Sequence, residues 1–572
     1  MKTDLSFSPQ VIPFAKCLQL WQTKATLMRI VLPIIALLTA GWLTGCGEKT
    51  AAPSAAAPKA TAPAAVPGQV ESPILRFHFT GGDRLQGDTN AANFRQVWAL
   101  PESAALRQEA MVKLLRAPAE LFRRSGGETT NDFAELLRPL FRDALAAESY
   151  GEVRGHSPTP EVALAFRLSA PRAALWNSNL SAILTGWTHL PTVAIQANGL
   201  SGWELKKPEA PNLLRVVQAG DWLVLGAGQD ELPVQAEFLQ RIKETSRPVP
   251  AGTNWFEVTA DLSRAAKWLA LPASLELPAG ELQLTVNGSG EYLRTRGRLT
   301  TPTAMDWKSE PWIVPTNLIR EPLISFTAGQ GIAPWLRDCA LLKDWQIPPP
   351  NQFYIWALEN VPFQTYTAFP TPDAGKTFAR FAPRAVEHVR SNVPPQFGNL
   401  LLVATNNSLN WERLPFIAPQ LTAVKDDTGE FLYASLLPNT PDKSPLPDEL
   451  VKQVIGRTNL VYYDWEITQA RLTHWRNLDQ LAHIIASAAL VSTNAVGQRW
   501  LQAISPKLGN TITEVTVAGT NEFKFVRLSH IGLTGFELTA FVEWLDAPNF
   551  PVGLPHWERL IPVGRTNPPP AR

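Results

Sequence analysis

The chain has 572 residues, of which 45% are hydrophobic and 18% charged, a composition that can bury more than one core. Its 52 basic and 51 acidic residues give a net charge of +1, so there is no basic excess to attract a nucleic acid or an anionic lipid surface. These values exclude a wholly disordered chain and argue against a nucleic-acid partner.

A short hydrophobic stretch with a basic start lies near the N-terminus. Arg29 precedes a largely apolar run over 30–42, which is shorter than the roughly 20 residues that a membrane span needs. The run leads to Thr44, Gly45 and Cys46. This pattern is typical of a cleaved secretory signal. An uncleaved single-span anchor with a chance cysteine is the alternative.

The segment 28–46 resembles the signal peptide and lipobox of bacterial lipoproteins. The resemblance implies that Cys46 becomes the first residue of the mature protein and carries acyl chains. Each buried methylene contributes about 0.8 kcal/mol, so two or more chains hold a protein firmly on a membrane. Gly47, rather than an aspartate, follows the cysteine. By the same resemblance, this favours the outer membrane, facing the periplasm.

The residues on either side of this signal fall outside the predicted folded body. Residues 1–27 are interpreted as a leader or as a misassigned start, because Met28 would itself begin a signal of ordinary length. Residues 47–72 are almost all Ala, Pro, Ser, Thr and Gly. Such a segment cannot bury a core, and we expect a disordered tether between the membrane and the body.

Cysteine usage is low. Cys17 would be lost with the leader and Cys46 would be acylated, which leaves Cys339 without a disulfide partner. A single thiol with no nearby base motif is interpreted as a small buried hydrophobic residue.

The predicted elements mix strands and helices in chain order. Alternation predicts a strand over 74–79, and helical periodicity predicts helices over 104–124, 131–149 and 232–245. Apolar arms around polar turns predict hairpins over 214–225 and 421–434. Later strands are predicted at 255–258, 283–286, 292–299, 460–463, 523–528 and 536–542.

An internal repeat at long period is the most informative pattern. Trp203-Glu204 and Trp411-Glu412 each lie five residues after an asparagine, and a Gly-acidic pair follows after 17 or 18 residues. Asp261 and Glu466 occupy matching positions further on, where we expect each to cap the helix that follows it or to lie in its first turn. The order and spacing of the matches indicate a duplication.

We therefore predict an α+β fold with two related lobes of antiparallel sheet and packed helices, preceded by the tether. The predicted boundaries are a leader at 1–27, a signal at 28–46, a linker at 47–72, a first lobe at 73–310, a connector at 311–350, a second lobe at 351–562 and a disordered tail at 563–572.

No catalytic, cofactor or metal signature is found in the sequence. The segment 373–377 resembles the end of a phosphate-binding loop but has Pro370 where that loop needs glycine, so we interpret it as a helix start. Glu148 and Glu152 are interpreted as surface charges or members of salt bridges. Trp203 and Trp411 are candidate binding platforms, although core packing is the favoured interpretation.

The favoured functional hypothesis is a non-enzymatic envelope lipoprotein, anchored through Cys46, that binds or scaffolds an envelope protein or an apolar ligand. One alternative is an envelope hydrolase whose site is assembled from dispersed residues. A structural subunit of an envelope complex is the other.

Overall fold

The computed structural model describes residues 72–551 with short gaps. The gaps are 91, 125–132, 156–159, 207–211, 230, 251, 270–278, 305–308, 338, 360, 362, 394–396, 404, 439–443, 486–493 and 548–549. Cys46 and the predicted leader, signal, linker and tail lie outside the described residues.

Within the described residues, twenty strands form the framework, and we divide them into a first lobe (β1–β10) and a second lobe (β11–β20). The first-lobe strands are β1 Leu75–Phe79, β2 Ser149–Arg154, β3 Glu161–Arg167, β4 Val193–Ala197, β5 Leu200–Lys206, β6 Asn212–Ala219, β7 Trp222–Gln229, β8 Phe256–Asp261, β9 Glu281–Ser289 and β10 Tyr292–Thr300. The second-lobe strands are β11 Leu323–Gln330, β12 Gln352–Leu358, β13 Thr365–Pro370, β14 Asn399–Val403, β15 Ser408–Glu412, β16 Gln420–Asp426, β17 Gly429–Ser435, β18 Leu460–Ile467, β19 Asn510–Gly519 and β20 Glu522–Ser529.

Helices connect these strands and cover the sheet. Those of the first lobe are α1 Gly82–Gly87, α2 Ala92–Trp98, α3 Pro101–Arg124, α4 Ala134–Ala146, α5 Ala170–Thr188, α6 Pro233–Thr245 and α7 Leu262–Trp268. Those of the second lobe are α8 Ala333–Leu336, α9 Ala340–Trp345, α10 Ala374–Asn392, α11 Asp448–Val451, α12 Thr468–Ile485, α13 Val496–Ile504 and α14 Gly535–Asp546.

All the strands belong to one antiparallel sheet. Its hydrogen-bonded order is β4-β5-β6-β7-β3-β2-β1-β8-β9-β10 in the first lobe, continuing through β10–β20 into β20-β19-β18-β11-β12-β13-β17-β16-β15-β14. Each pair of hydrogen-bonded strands in the first lobe has a counterpart in the second lobe whose strand numbers are ten higher. For example, β1–β2 corresponds to β11–β12, and β1–β8 corresponds to β11–β18. The two lobes therefore share one strand order and meet through their last strands.

Apolar residues alternate along the strands and face cores on both sides of the sheet. In β7, Leu223 faces a core shared with α5, whereas Val224 faces a core shared with α6. In β17, Leu432 packs against α10, whereas Phe431 faces the aromatic core that includes Val451 of α11. Both faces of each lobe are thus buried under helices, which explains the long apolar runs in these strands.

A helical core joins the lobes a second time. Leu106 of α3 packs in the same cluster as Leu501 of α13 and Leu538 of α14. Within this cluster, the indole Nε1 of Trp500 donates to the hydroxyl of Ser103 over 2.7 Å. The lobes are held together by this shared core as well as by the β10–β20 ladder.

The α+β class is confirmed, as are both predicted hairpins. The stretch 536–542 is wrong as a strand, because it lies in α14. Thr534 accepts from the Glu537 amide, and the Glu537 carboxylate accepts from the Thr534 amide, so a capping box starts a helix there. The predicted connector, 311–350, contains β11, α8 and α9. Because β11 pairs with β12 and β18, the second lobe begins before residue 351.

Across the described ranges, no helix is both long enough and apolar enough to cross a bilayer.

Candidate functional site

A groove lies on the second lobe. It has a volume of about 370 Å³, within the usual size range of small-molecule sites. Its lining consists of apolar and basic side chains from the α8–α9 region, the segment after α9, and α10, namely Arg337, Leu342, Lys343, Gln346, Ile347, Pro348, Pro349 and Arg380. No acidic residue belongs to this set.

Local sequence explains how the groove forms. Helix α9 ends at Gln346, whose φ of 55° is left-handed, and the Ile347 amide then donates to the Leu342 carbonyl over 2.8 Å. This is the usual way in which the last carbonyls of a helix are satisfied. Three prolines follow, fixing an extended segment that cannot continue the helix.

Aromatic stacking holds this segment against α10. The rings of Trp345 and Phe381 are parallel, with centroids 6.2 Å apart, and Ile347 packs against the same core. Arg380 precedes Phe381 on α10 and is exposed at the rim. The packing therefore brings a cation from α10 opposite the apolar residues that follow α9.

The two tryptophans predicted as possible platforms lie on corresponding strands, β5 and β15. Trp203 is partly buried against the first-lobe core, and its Nε1 donates to Oδ1 of Asn177 over 3.2 Å. Trp411 is partly buried, and its Nε1 donates to the Phe397 carbonyl over 2.8 Å. These contacts agree with the packing interpretation for both rings.

Ionisable groups are buried beneath α12 and α14, on one face of the second-lobe sheet. Asp464 and Glu466 are two residues apart on β18 and share a face. The Asp464 carboxylate accepts from the Thr327 hydroxyl over 2.7 Å, and Glu466 accepts from the Gly535 amide at the start of α14 over 2.8 Å. Burial raises the pKa of both carboxyls, that of Glu466 to about 7 with a further contribution from neighbouring Asp464.

Two arginines supply positive charge to this buried cluster. Burial lowers the pKa of Arg471 to about 10, against the opposing effect of the two carboxylates. Arg527 pairs with Glu537 over 2.8 Å, and Glu537 belongs to the capping box of α14. These contacts fasten α12 and α14 to the sheet.

The predicted caps are confirmed for one lobe only. Asp261 accepts from the Arg264 amide over 3.0 Å and caps α7. For Glu466, the carboxylate accepts from the Gly535 amide at the start of α14 and also forms a hydrogen bond with the side chain of Thr468, the first residue of α12. The expected start of a helix at 373–377 is confirmed by α10.

A second polar cluster lies in the first lobe around Glu148. The His78 ring stacks on Tyr150 with centroids 4.2 Å apart, and its Nε2 lies 3.2 Å from Oε1 of Glu148. Arg247 donates to the same carboxylate over 3.0 Å. Burial raises the pKa of Glu148, but the hydrogen bond to His78 and the charge of Arg247 outweigh it, so the net pKa is lowered.

Glu148 and Glu152 are both members of salt bridges, which is one of the two interpretations made from the sequence. Glu152 pairs with Arg76 over 3.0 Å. The surface interpretation is wrong for both glutamates, which are 9% and 1% exposed.

Cys339 is 7% exposed, which agrees with the buried position expected of it. In the unprocessed chain it is disulfide-bonded. The expectation that Cys339 has no disulfide partner concerns the processed chain, from which Cys17 is lost and in which Cys46 is acylated. In the described part of the chain, no three His, Cys, Asp or Glu side chains are grouped to hold a metal ion.

Comparison with known proteins adds no family. No protein-family model matches the chain, and no curated protein does. A solved structure described as "Structure of crystal form IV of TP0453" matches 40% of this chain and 77% of its own, at 12% identity and a TM-score of 0.21. A likeness of this extent supports neither a shared fold nor a shared activity.

Proposed function

We propose that the protein is an envelope lipoprotein, anchored through acylated Cys46 to the periplasmic face of the outer membrane, whose body binds an anionic amphiphile. The signal-like segment 28–46, with Gly47 after the cysteine, supports the anchor and its location. The Ala- and Pro-rich segment 47–72 supports a tether that lets the body stand away from the bilayer.

The observation that carries the ligand class is the composition of the groove. Leu342, Ile347 and the adjoining prolines offer apolar contact, whereas Arg337 and Arg380 offer positive charge. An apolar tail with an acidic head satisfies both parts of this lining. An acidic head would be bound by charge-assisted hydrogen bonds, which are stronger than neutral ones.

We further propose that the two lobes arose by duplication. The recurrence of every first-lobe strand pairing in the second lobe supports this, as do α5 and α10, which have 19 residues each and precede corresponding four-stranded meanders. The groove lies in the second lobe, so the proposed binding site belongs to one of the two copies.

Photo-crosslinking tests the proposed ligand class. Full-length protein in nanodiscs of neutral lipid is exposed to decanoate carrying a diazirine on its tail, and labelled peptides are identified by mass spectrometry. We expect label in the peptides that contain residues 342–349. A matched decanol probe should label the same peptides more weakly, because it lacks the carboxylate.

Variants separate charge from apolar contact. Opposite unit charges about 4 Å apart in water attract by about 1 kcal/mol, so replacing two cations should weaken decanoate binding by about 30-fold. Arg337→Gln combined with Arg380→Gln tests this, and Arg390→Gln is the control, because Arg390 is exposed on the same helix and pairs with Glu387 instead. Equal labelling by decanoate and decanol in all these proteins would contradict the proposal.

A further inference from the structure

The sheet has two ends, β4 and β14, and the second of them is unusually apolar. β14 pairs with β15 on one side, and no strand in the described residues pairs with its other side. Its sequence, Asn399–Val403, reads NLLLV, and Leu401 and Leu402 are 39% and 42% exposed. Phe416, in the turn that follows β15, is 69% exposed.

Charge is absent from this region of the sequence. No Asp, Glu, Lys or Arg occurs between Arg390 and Glu412, an interval that contains β14 and most of β15. Exposed edge strands are ordinarily protected by charged residues, bulges or prolines, because their free N–H and C=O groups can pair with another chain. Although β14 has only five residues, an apolar edge strand that contains no charge, bulge or proline indicates that it has a partner.

The corresponding edge, β4, is protected differently. Its exposed residues include Val193, Ala194 and Gln196, and the Lys243 amine donates to the carbonyl of Asn198, directly after the strand. In the corresponding turn after β14, the carbonyl of Asn407 accepts from the neutral hydroxyl of Thr422 instead. A cation therefore binds the turn after β4, whereas a neutral hydroxyl binds the corresponding turn after β14.

We propose that β14 pairs antiparallel with β14 of a second copy of this chain, around a twofold axis at Leu401. A polypeptide strand is favoured over a lipid surface, because acyl chains leave the edge N–H and C=O groups without hydrogen-bond partners. A second copy is favoured because the strand is self-complementary. With Leu401 opposite its own copy, Leu400 lies opposite Leu402 of the other chain, so leucines meet on both faces.

A similar pairing between corresponding strands already occurs within the chain, because β10 and β20, the last strands of the two lobes, pair antiparallel. Five paired residues bury much less than the 1,200–2,000 Å² or so of a stable interface, so the dimer is weak for chains diluted in solution. Confining two chains to one membrane raises their effective concentration and favours the paired state.

Disulfide trapping in the full-length chain, reconstituted in vesicles, tests the twofold pairing. Residues directly opposite in an antiparallel pair have Cβ atoms about 4.5–5.5 Å apart, close enough for a disulfide after a small adjustment. Leu401→Cys should therefore give a crosslinked dimer under mild oxidation. Asn399→Cys is the control, because the two copies of residue 399 would be about 14 Å apart along the strands. The parent chain, with its own cysteines, measures the background.

A lysine variant provides a second readout. Leu401→Lys in both chains places two ammonium groups opposite each other. A Leu402→Cys chain and a Leu400→Cys chain that both carry Leu401→Lys should therefore crosslink less than the same two cysteine variants without it. Val193→Lys in place of Leu401→Lys should leave that crosslinking unchanged. Equal trapping at positions 399 and 401, or none at either, would overturn the proposal. The proposal would also be overturned if lipid-borne quenchers quenched a fluorophore on residue 401 and no crosslinking occurred, because that result indicates a membrane contact.

Discussion

The buried carboxyl of Glu466 makes a testable contribution to the pH dependence of stability. Its pKa is raised from 4.5 to about 7 by burial and by the neighbouring Asp464. Between these two pH values the folded state keeps a proton that the unfolded state has released. The stability associated with this group is therefore fully present below about pH 4.5 and is lost as the pH rises through about 7.

The magnitude follows from the size of the shift. A rise from 4.5 to about 7 corresponds to about 3 kcal/mol of unfolding free energy. His474 acts in the opposite direction in an overlapping range, because burial and the charge of Arg471 lower its pKa to about 4. Stability associated with His474 is therefore lost as the pH falls below about 6.5.

Glu466→Gln isolates the carboxyl from the histidine. The glutamine keeps an oxygen to accept from the Gly535 amide, and His474 is the same in both proteins, so its effect cancels in their difference. Urea unfolding of both proteins, followed by tryptophan fluorescence at several pH values, gives that difference. We expect it to shift in favour of the variant by up to about 3 kcal/mol between about pH 4 and pH 8. A difference that is constant over this range would refute the buried, protonated state of Glu466.

Three further changes test how the fold is held together. Arg527→Met removes an arginine side chain that is 8% exposed and leaves Glu537 without its partner, so it should cost about 3–5 kcal/mol in urea unfolding. Arg298→Met, at an arginine side chain that is 53% exposed, should cost much less. Gly151→Ala should cost about 1–3 kcal/mol, because its Cβ would lie 2.1 Å from a phenyl ring, whereas Gly375→Ala has open space and should be neutral or slightly stabilising. Thr534→Ala removes a helix cap and should lower stability by about 1 kcal/mol, measured by the same unfolding assay. A similar cost for both arginines, or for both glycines, would contradict the burial assigned to these sites.

Local signals in the sequence were sufficient for elements with clear periodicity or turn chemistry. The hairpin of β6 and β7 was predicted because Gly220 and Asp221 stand between two apolar arms. Residues 536–542 were predicted wrongly because their apolar residues fit both strand and helix periods. The deciding signal, Thr534 followed three residues later by Glu537, was present in the sequence and was missed.

Features that depend on tertiary packing were beyond local patterns. β11 was assigned to a connector, although Ile324, Phe326 and Ala328 alternate with Ser325 and Thr327; its pairing with β12 and β18 and its burial over nearly its whole length depend on the tertiary fold. The groove depends on Trp345 stacking on Phe381, which brings Arg380 beside residues more than thirty positions earlier. Asp464 and Glu466 are polar at alternate positions of a strand, a pattern that normally indicates a solvent-facing side, whereas here helices cover that side.

Mass spectrometry of the protein isolated from its native membrane tests the central claim most directly. The proposed anchoring predicts a mature chain that begins at Cys46, with acyl groups on that residue and none of residues 1–45 attached. A chain that retains residues 1–45 with Cys46 unacylated, whether as a free thiol or in a disulfide, would contradict it.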